Sequence, residues 1–131
     1  MSDPVCLITG VGPATGSALA RRFATSGYRV AMLARNRERL AALETELAGT
    51  KAYACDVTDP DQIESACGAV ERDLGAPEVL IHSAVGGAFG SFLEIDPKVL
   101  NRNFQINTMA LLHLARRLAP LRDEGVMVVA S

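Results

Sequence analysis

The sequence has no excess of basic residues and few residues with which to build a metal site or a disulfide framework. Thirteen Lys and Arg stand against 15 Asp and Glu, which gives a formal net charge of -2. A nucleic-acid-binding surface would need a basic excess, so no nucleic-acid partner is expected. The three cysteines, Cys6, Cys55 and Cys67, lack metal-ligand spacing. We expect them to be buried free thiols, and we expect no metal site.

Long apolar runs are also missing. None approaches the ~20 residues that a membrane span requires. The segment Met1 to Pro4 lacks the basic and apolar regions of a signal peptide, so a cytoplasmic protein without a membrane partner is expected. The composition, 49% apolar and 21% charged over 131 residues, predicts one ordinary soluble domain spanning residues 1–131.

Short apolar runs alternate with amphipathic segments, which is typical of repeated strand-helix crossovers. The strand candidates are Val5 to Thr9, Arg29 to Ala34, Lys51 to Cys55, Val79 to His82 and Val126 to Ala130. The helix candidates are Gly16 to Ser26, Arg37 to Leu47, Pro60 to Leu74 and Pro97 to Ala119. Three of the five strand candidates are almost wholly apolar, which favours a parallel sheet covered on both faces. We therefore predict an α/β doubly wound sheet with strand order 3-2-1-4-5.

Helix boundaries support this assignment. Asn36, Asp59 and Asp96 stand where N-caps are expected, the last two followed by proline at the first helical position. Gly27 and Gly49 fall at predicted helix ends. A glycine-rich stretch, residues 84–94, follows the fourth strand, as a loop at a ligand site would.

The first strand-helix turn reads TGVGPATG from Thr9 to Gly16. A tight turn into a helix needs a residue without a Cβ at Gly10, and a pyrophosphate would approach N–H groups at the helix N-terminus. Gly12 and Gly16 allow further close approach. The position of this turn in the first βαβ unit indicates a dinucleotide site.

With this turn, the sequence resembles the short-chain dehydrogenase/reductase family along essentially its whole length. Thr9, Gly10 and Gly16 match the family's TGxxxGxG motif, and Ala14 stands at the middle glycine. The resemblance implies cofactor contacts from the turn, Thr15 included. It also implies contacts from Asp56 and Val57 after the third strand, and from Ala84, which survives from the family's NNAG motif in the sequence His82-Ser83-Ala84-Val85.

The end of the second strand favours NADP over NAD. A carboxylate there would accept hydrogen bonds from the ribose and repel a 2′-phosphate. This chain has Ala34 followed by Arg35, whose guanidinium suits a phosphate. The alternative is that Arg35, Arg37 and Arg39 only solvate the start of a helix.

The resemblance further implies a catalytic Asn, Ser, Tyr and Lys. Asn107 matches the Asn that holds a water in the proton relay, and Ser131, which follows Gly125 to Ala130 in the family's fifth-strand pattern, matches the substrate-orienting serine. The only tyrosines, Tyr28 and Tyr53, have no lysine four residues later, so the family's YxxxK is missing from these residues. His82 and His113 are expected to be structural rather than catalytic.

Three functions therefore remain open. The first is the amino-terminal portion of an NADP-dependent enzyme that interconverts carbonyls and alcohols, truncated after the fifth strand. Its YxxxK would lie beyond Ser131, and we expect the 131 residues alone to be inactive. The others are a non-catalytic dinucleotide-binding module and a protein-interaction domain. In the family the fourth helix contributes to a dimer, and its apolar stripe through Met109, Leu112 and Leu114, with an apolar fifth strand at the sheet edge, predicts a homo-oligomer.

Overall fold

A computed structural model of the chain describes residues 3–12, 14–84 and 90–130. Its strands are β1 (Val5–Thr9), β2 (Arg29–Ala34), β3 (Thr50–Ala54), β4 (Val79–His82) and β5 (Met127–Ala130). Its helices are α1 (Thr15–Thr25), α2 (Ala41–Glu46, preceded by a 3-10 turn at Arg37–Leu40), α3 (Pro60–Asp73), α4 (Pro97–Phe104) and α5 (Ala110–Leu118). A π turn, Gln105–Met109, joins α4 to α5, and a 3-10 turn, Ala119–Leu121, follows α5.

The five strands form one parallel sheet in the order β3-β2-β1-β4-β5. The predicted doubly wound α/β fold and its strand order are confirmed. Alternate residues of each strand face opposite sides of the sheet. Leu7 of β1 packs in the layer that includes α3 and α5, whereas Ile8 packs in the layer that includes α1 and α2. Helices on both faces explain why β1, β2 and β4 are mostly apolar and buried.

The predicted helix caps are confirmed. The side chains of Asn36, Asp59 and Asp96 accept hydrogen bonds from the backbone N–H two residues later. Gly27 and Gly49 have φ of 92° and 82°, the left-handed conformation that ends helices. The three cysteines are buried free thiols, as expected.

Two expectations about the fourth predicted helix need correction. It is not one regular helix, because the π turn interrupts it. Leu114 is fully buried in the core, whereas Leu112 is exposed. Residues two apart lie about 200° apart around an α-helix, so these leucines cannot share one stripe.

Candidate active site

The candidate site is a pocket of about 980 Å³ beyond the carboxyl ends of β1, β2, β3 and β4. The connection after β1 leads to β2 on one side of the sheet, and the connection after β4 leads to β5 on the other side. Open α/β sheets bind ligands in the crevice at such a switch point. The lining residues come from the glycine turn and the start of α1, the end of β2 with the 3-10 turn and α2, the segment after β3, the end of β4, and the α4–π region. They are Gly10, Val11, Gly12, Ser17, Leu33, Ala34, Arg35, Asn36, Arg39, Leu40, Leu43, Cys55, Asp56, Val57, Ser83, Ala84, Arg102 and Ile106.

The glycines of the turn serve different purposes. Gly10 has φ of 68°, and a Cβ there would come closer than 3.0 Å to the backbone of Ala84. A Cβ on Gly16 would lie 2.6 Å from the Cα of Val11, so Gly16 allows α1 to pack against the turn. A Cβ on Gly12 would meet no atom within 4 Å, because Gly12 borders the open space of the pocket.

The N-terminus of α1 lacks a side-chain cap. Ala14 is the N-cap residue and offers only a methyl group. The first N–H groups of a helix, here those of Thr15 and Gly16, have no acceptor within the helix. The N–H groups of Gly10 and Val11 donate instead to the carbonyl of Leu33. An anion at this end of the pocket would therefore meet the first turn of α1, where the helix dipole also favours negative charge.

A cationic rim lies at the end of β2. Arg35 and Arg39 line the pocket beside Asn36, whose side chain accepts a hydrogen bond from the N–H of Glu38. Arg37 lies elsewhere and borders a shallow groove beside β3 with Lys51. The three arginines that the sequence could not separate thus face two different surfaces.

Asp56 is held in place after β3. Its Oδ1 accepts hydrogen bonds from the Thr58 hydroxyl at 2.7 Å and the Thr58 N–H at 2.9 Å. These bonds, with smaller contributions from the charges of Arg102 and Arg35, hold the pKa of the Asp56 carboxyl below its usual range. The carboxylate is therefore ionised at neutral pH.

His82, at the end of β4, is a satisfied structural histidine, as expected. Its Nδ1 lies 2.7 Å from the Thr9 hydroxyl, and its Nε2 lies 2.7 Å from the carbonyl oxygen of Ile106. Burial lowers the pKa of His82, while the bond to the Ile106 carbonyl acts in the opposite direction. His82 is 2% exposed, so the neutral form of its side chain is favoured.

The structure brings most of the predicted cofactor residues to one pocket. Six of them line it: Gly10, Gly12, Arg35, Asp56, Val57 and Ala84. Ala14, Thr15 and Gly16 lie next to it, at the start of α1. Asn107 is exposed and lies in the π turn, one residue after the pocket residue Ile106. Ser131 and residues 85–89 of the glycine-rich loop lie outside the described residues.

Sequence reasoning gave no site role to several pocket residues, among them Ser17, Asn36, Arg102 and Ile106. Ser17 donates from its hydroxyl to the Gly12 carbonyl and follows the glycine motif directly, so its position could have been inferred. Asn36 was recognised only as a helix cap. Arg102 and Ile106 carry no motif, and only the packing of α4 and the π turn places them here.

Comparison with known proteins identifies the family. The family described as short chain dehydrogenase matches residues 4–131. The chain belongs to this family. Chicken (Gallus gallus) D-erythrulose reductase is 32% identical over 113 residues, which cover 86% of this chain and 44% of the reductase. Serine 3-dehydrogenase of Agrobacterium fabrum is 33% identical over 132 residues, which cover 95% of this chain and 52% of the dehydrogenase.

Solved structures of short-chain dehydrogenases have the same fold as this chain. One from Streptomyces avermitilis has a TM-score of 0.92 at 29% identity and matches 99% of this chain but 49% of its own. Two more distant structures show the fold alone: a Brucella melitensis 3-ketoacyl-(acyl-carrier-protein) reductase with NADH (TM-score 0.86, 24% identity) and a Thermococcus sibiricus alcohol dehydrogenase with 5-hydroxy-NADP (0.91, 22%). This chain therefore spans about half the length of the short-chain dehydrogenases it matches.

In residues 3–12, 14–84 and 90–130, no helix has the length and apolar character to cross a bilayer. Within the same residues, no three His, Cys, Asp or Glu side chains are grouped as metal ligands. The family model thus places residues 4–131 among the short-chain dehydrogenases, a family of oxidoreductases.

Proposed function

We propose that this chain supplies the cofactor-binding part of an NADP-dependent short-chain dehydrogenase/reductase that interconverts a small-molecule carbonyl and its alcohol. The observation that carries the proposal is the pair of arginines, Arg35 and Arg39, on the pocket rim at the end of β2. The pocket residues fit a dinucleotide: Gly12 leaves room beside the turn, and α1 presents its uncapped N-terminus.

The preference for NADP rests on charge. The adenosine ribose of a dinucleotide bound in this crevice lies near the end of β2. A 2′-phosphate there would meet guanidinium groups, which bind phosphate through paired N–H donors. Ala34 and Arg35 place no carboxylate at this point to bind a free 2′-hydroxyl. NAD is therefore the less favoured cofactor.

The chemistry divides between cofactor and protein. The nicotinamide supplies the hydride acceptor or donor. By resemblance to the family, Asn107 holds a water in the proton relay and Ser131 orients the substrate. Tyr28 packs on Phe23, and Tyr53 donates to the Asp73 carboxylate. Neither tyrosine lines the pocket, so neither is placed to transfer the proton.

The test uses mononucleotides that differ only in the 2′-phosphate. We expect the 131-residue chain to bind 2′,5′-ADP at least about tenfold more tightly than 5′-AMP in calorimetry, about 1.4 kcal/mol. We expect Arg35→Ala and Arg39→Ala to remove this preference. Arg37→Ala is the matched control, because Arg37 borders the other groove. Equal affinities for the two nucleotides, or an equal loss in the Arg37 variant, would refute the NADP assignment.

A second candidate is a dinucleotide-binding module without catalysis. It is favoured by the absence of YxxxK from the 131 residues. Tight NADPH binding with no turnover across a broad carbonyl and alcohol panel would support it, whereas turnover by these residues alone would rule it out. If no nicotinamide dinucleotide binds to the folded chain, the protein-interaction reading becomes the better one.

A homo-oligomer and a cytoplasmic location remain proposals. Exposed apolar side chains on α4, α5 and β5 support self-association. They include Val99, Leu100, Phe104, Leu112, Met127, Val128 and Val129. A monodisperse monomer in light scattering would contradict the oligomer.

A further inference from the structure

The π turn between α4 and α5 changes the hydrogen bonding of one carbonyl. The Ala110 N–H donates to the carbonyl of Gln105, five residues earlier. In a regular α-helix it would donate to Ile106, four residues earlier. In the π turn the Ile106 carbonyl therefore loses its usual backbone donor. A carbonyl in a packed region that accepts no hydrogen bond costs free energy, so another donor is needed.

His82 supplies the replacement. Its Nε2 lies 2.7 Å from the Ile106 oxygen, and because a carbonyl can only accept, Nε2 must carry the proton. Nδ1 is then an acceptor, and the Thr9 hydroxyl donates to it across 2.7 Å. Thr9 is fully buried and His82 nearly so. One neutral tautomer thus links β1, β4 and the π turn.

The two helices on either side of the π turn differ in how they are anchored. Ala110, Leu114 and Leu118 fix α5 in the core. No residue of α4 is buried, so core packing does little to set its rotation about its own axis. The π turn sets that rotation, and Arg102 of α4 and Ile106 of the turn both line the pocket.

We infer that His82 is a positioning residue: by donating its Nε2–H to Ile106, it maintains the π turn and so fixes the direction in which Arg102 and Ile106 meet the pocket and the place of Asn107 beside it. The consequence for the proton relay rests on the proposed function of Asn107. The contact and its effect on the turn do not depend on that function.

The experiment measures which carbonyl accepts the Ala110 N–H. Scalar couplings across hydrogen bonds, recorded by NMR on the 131-residue chain, identify the acceptor directly. We expect a coupling from Ala110 to Gln105 in the wild type and in His82→Gln, whose amide keeps a donor near the Nε2 position. In His82→Leu, which has no donor, we expect the coupling to move to Ile106 and the side-chain amide signals of Asn107 to shift. His113→Gln is the matched control and should behave as the wild type.

Two results would overturn the inference. One is a His82→Leu variant that keeps the coupling from Ala110 to Gln105, since the turn would then be independent of the histidine. The other is a ¹⁵N spectrum of the wild type with the proton on Nδ1, a measurement that does not require any variant to fold. NADPH titrations of the same samples distinguish failure of this inference from failure of the proposed function. If no sample, wild type included, binds NADPH while the expected couplings are present, the proposed function is refuted and the role of His82 is not.

Discussion

The backbone of Gly10 passes so close to that of Ala84 that a Cβ at residue 10 would lie within 3.0 Å of the Ala84 Cα and amide nitrogen. The glycine turn and the end of β4 therefore pack directly against each other. We expect Gly10→Ala to lower the free energy of unfolding by about 2 to 5 kcal/mol, from the left-handed backbone and from overpacking. Urea unfolding followed by circular dichroism measures this loss. An unchanged midpoint would show that the close approach is not required.

Gly12→Ala is predicted to affect binding rather than folding. Its Cβ would meet no atom of the chain within 4 Å, so stability should change by less than about 1 kcal/mol. The same methyl group would enter the space that a pyrophosphate needs beside the turn, and we expect NADPH to bind about tenfold more weakly, a change of about 1.4 kcal/mol. Fluorescence titration of the folded variant tests this. Wild-type affinity would place the pyrophosphate elsewhere.

Reversal of charge at the end of β2 should reverse the choice of cofactor. In Arg35→Asp, a carboxylate would repel a 2′-phosphate and accept hydrogen bonds from a 2′-hydroxyl. We expect NADPH affinity to fall by about tenfold or more while NADH affinity rises. Parallel titrations with both nucleotides give the ratio. Arg37→Asp adds the same charge beside the other groove and should change the ratio much less.

Acid should weaken the fold through His82. Burial holds its pKa below the ordinary value of about 6.5, so the unfolded chain binds a proton at a higher pH than the folded chain does. The stability linked to His82 is therefore fully present above pH 6.5 and is lost as pH falls toward the lower, folded-state pKa. The limiting slope is about 1.4 kcal/mol per pH unit.

The comparison with His82→Gln isolates this effect, because the two proteins differ only at residue 82. We expect the difference in unfolding free energy between wild type and variant to be constant above pH 7 and to move in favour of the variant between pH 6.5 and 5. Urea unfolding at several pH values measures it. Parallel pH profiles would show that His82 does not titrate differently in the two states.

Gly68→Ala is predicted to stabilise the protein. Gly68 lies inside α3, and a Cβ there would make an ordinary contact of 3.5 Å with the Arg72 Nη1. Replacing a helix-interior glycine by alanine reduces the entropy of the unfolded chain, and we expect a gain of about 0.5 to 1 kcal/mol. Thermal unfolding checks the sign. A lower melting temperature would mean that the helix cannot accommodate the methyl group.

The sequence predicted the sheet well because local signals agreed with the tertiary structure. Continuous apolar runs marked the strands, and Asp59 with Pro60 marked the start of α3 within one residue. The π turn could not be predicted, since Gln105 to Met109 reads as ordinary helix and depends on a contact with His82, distant in the chain. The sequence predicted only part of the role of Gly16. The motif indicates a cofactor contact, and the structure adds close packing of Gly16 on Val11.

The central place of β1 has a consequence for how quickly the chain can fold. Thr9 and His82, which meet across the β1–β4 pair, are 73 residues apart in sequence. Topologies dominated by such distant pairings have a high contact order and fold slowly, because the intervening loop must be closed before the pairing stabilises anything. During synthesis, one edge of β1 therefore stays without a partner until β4 has left the ribosome.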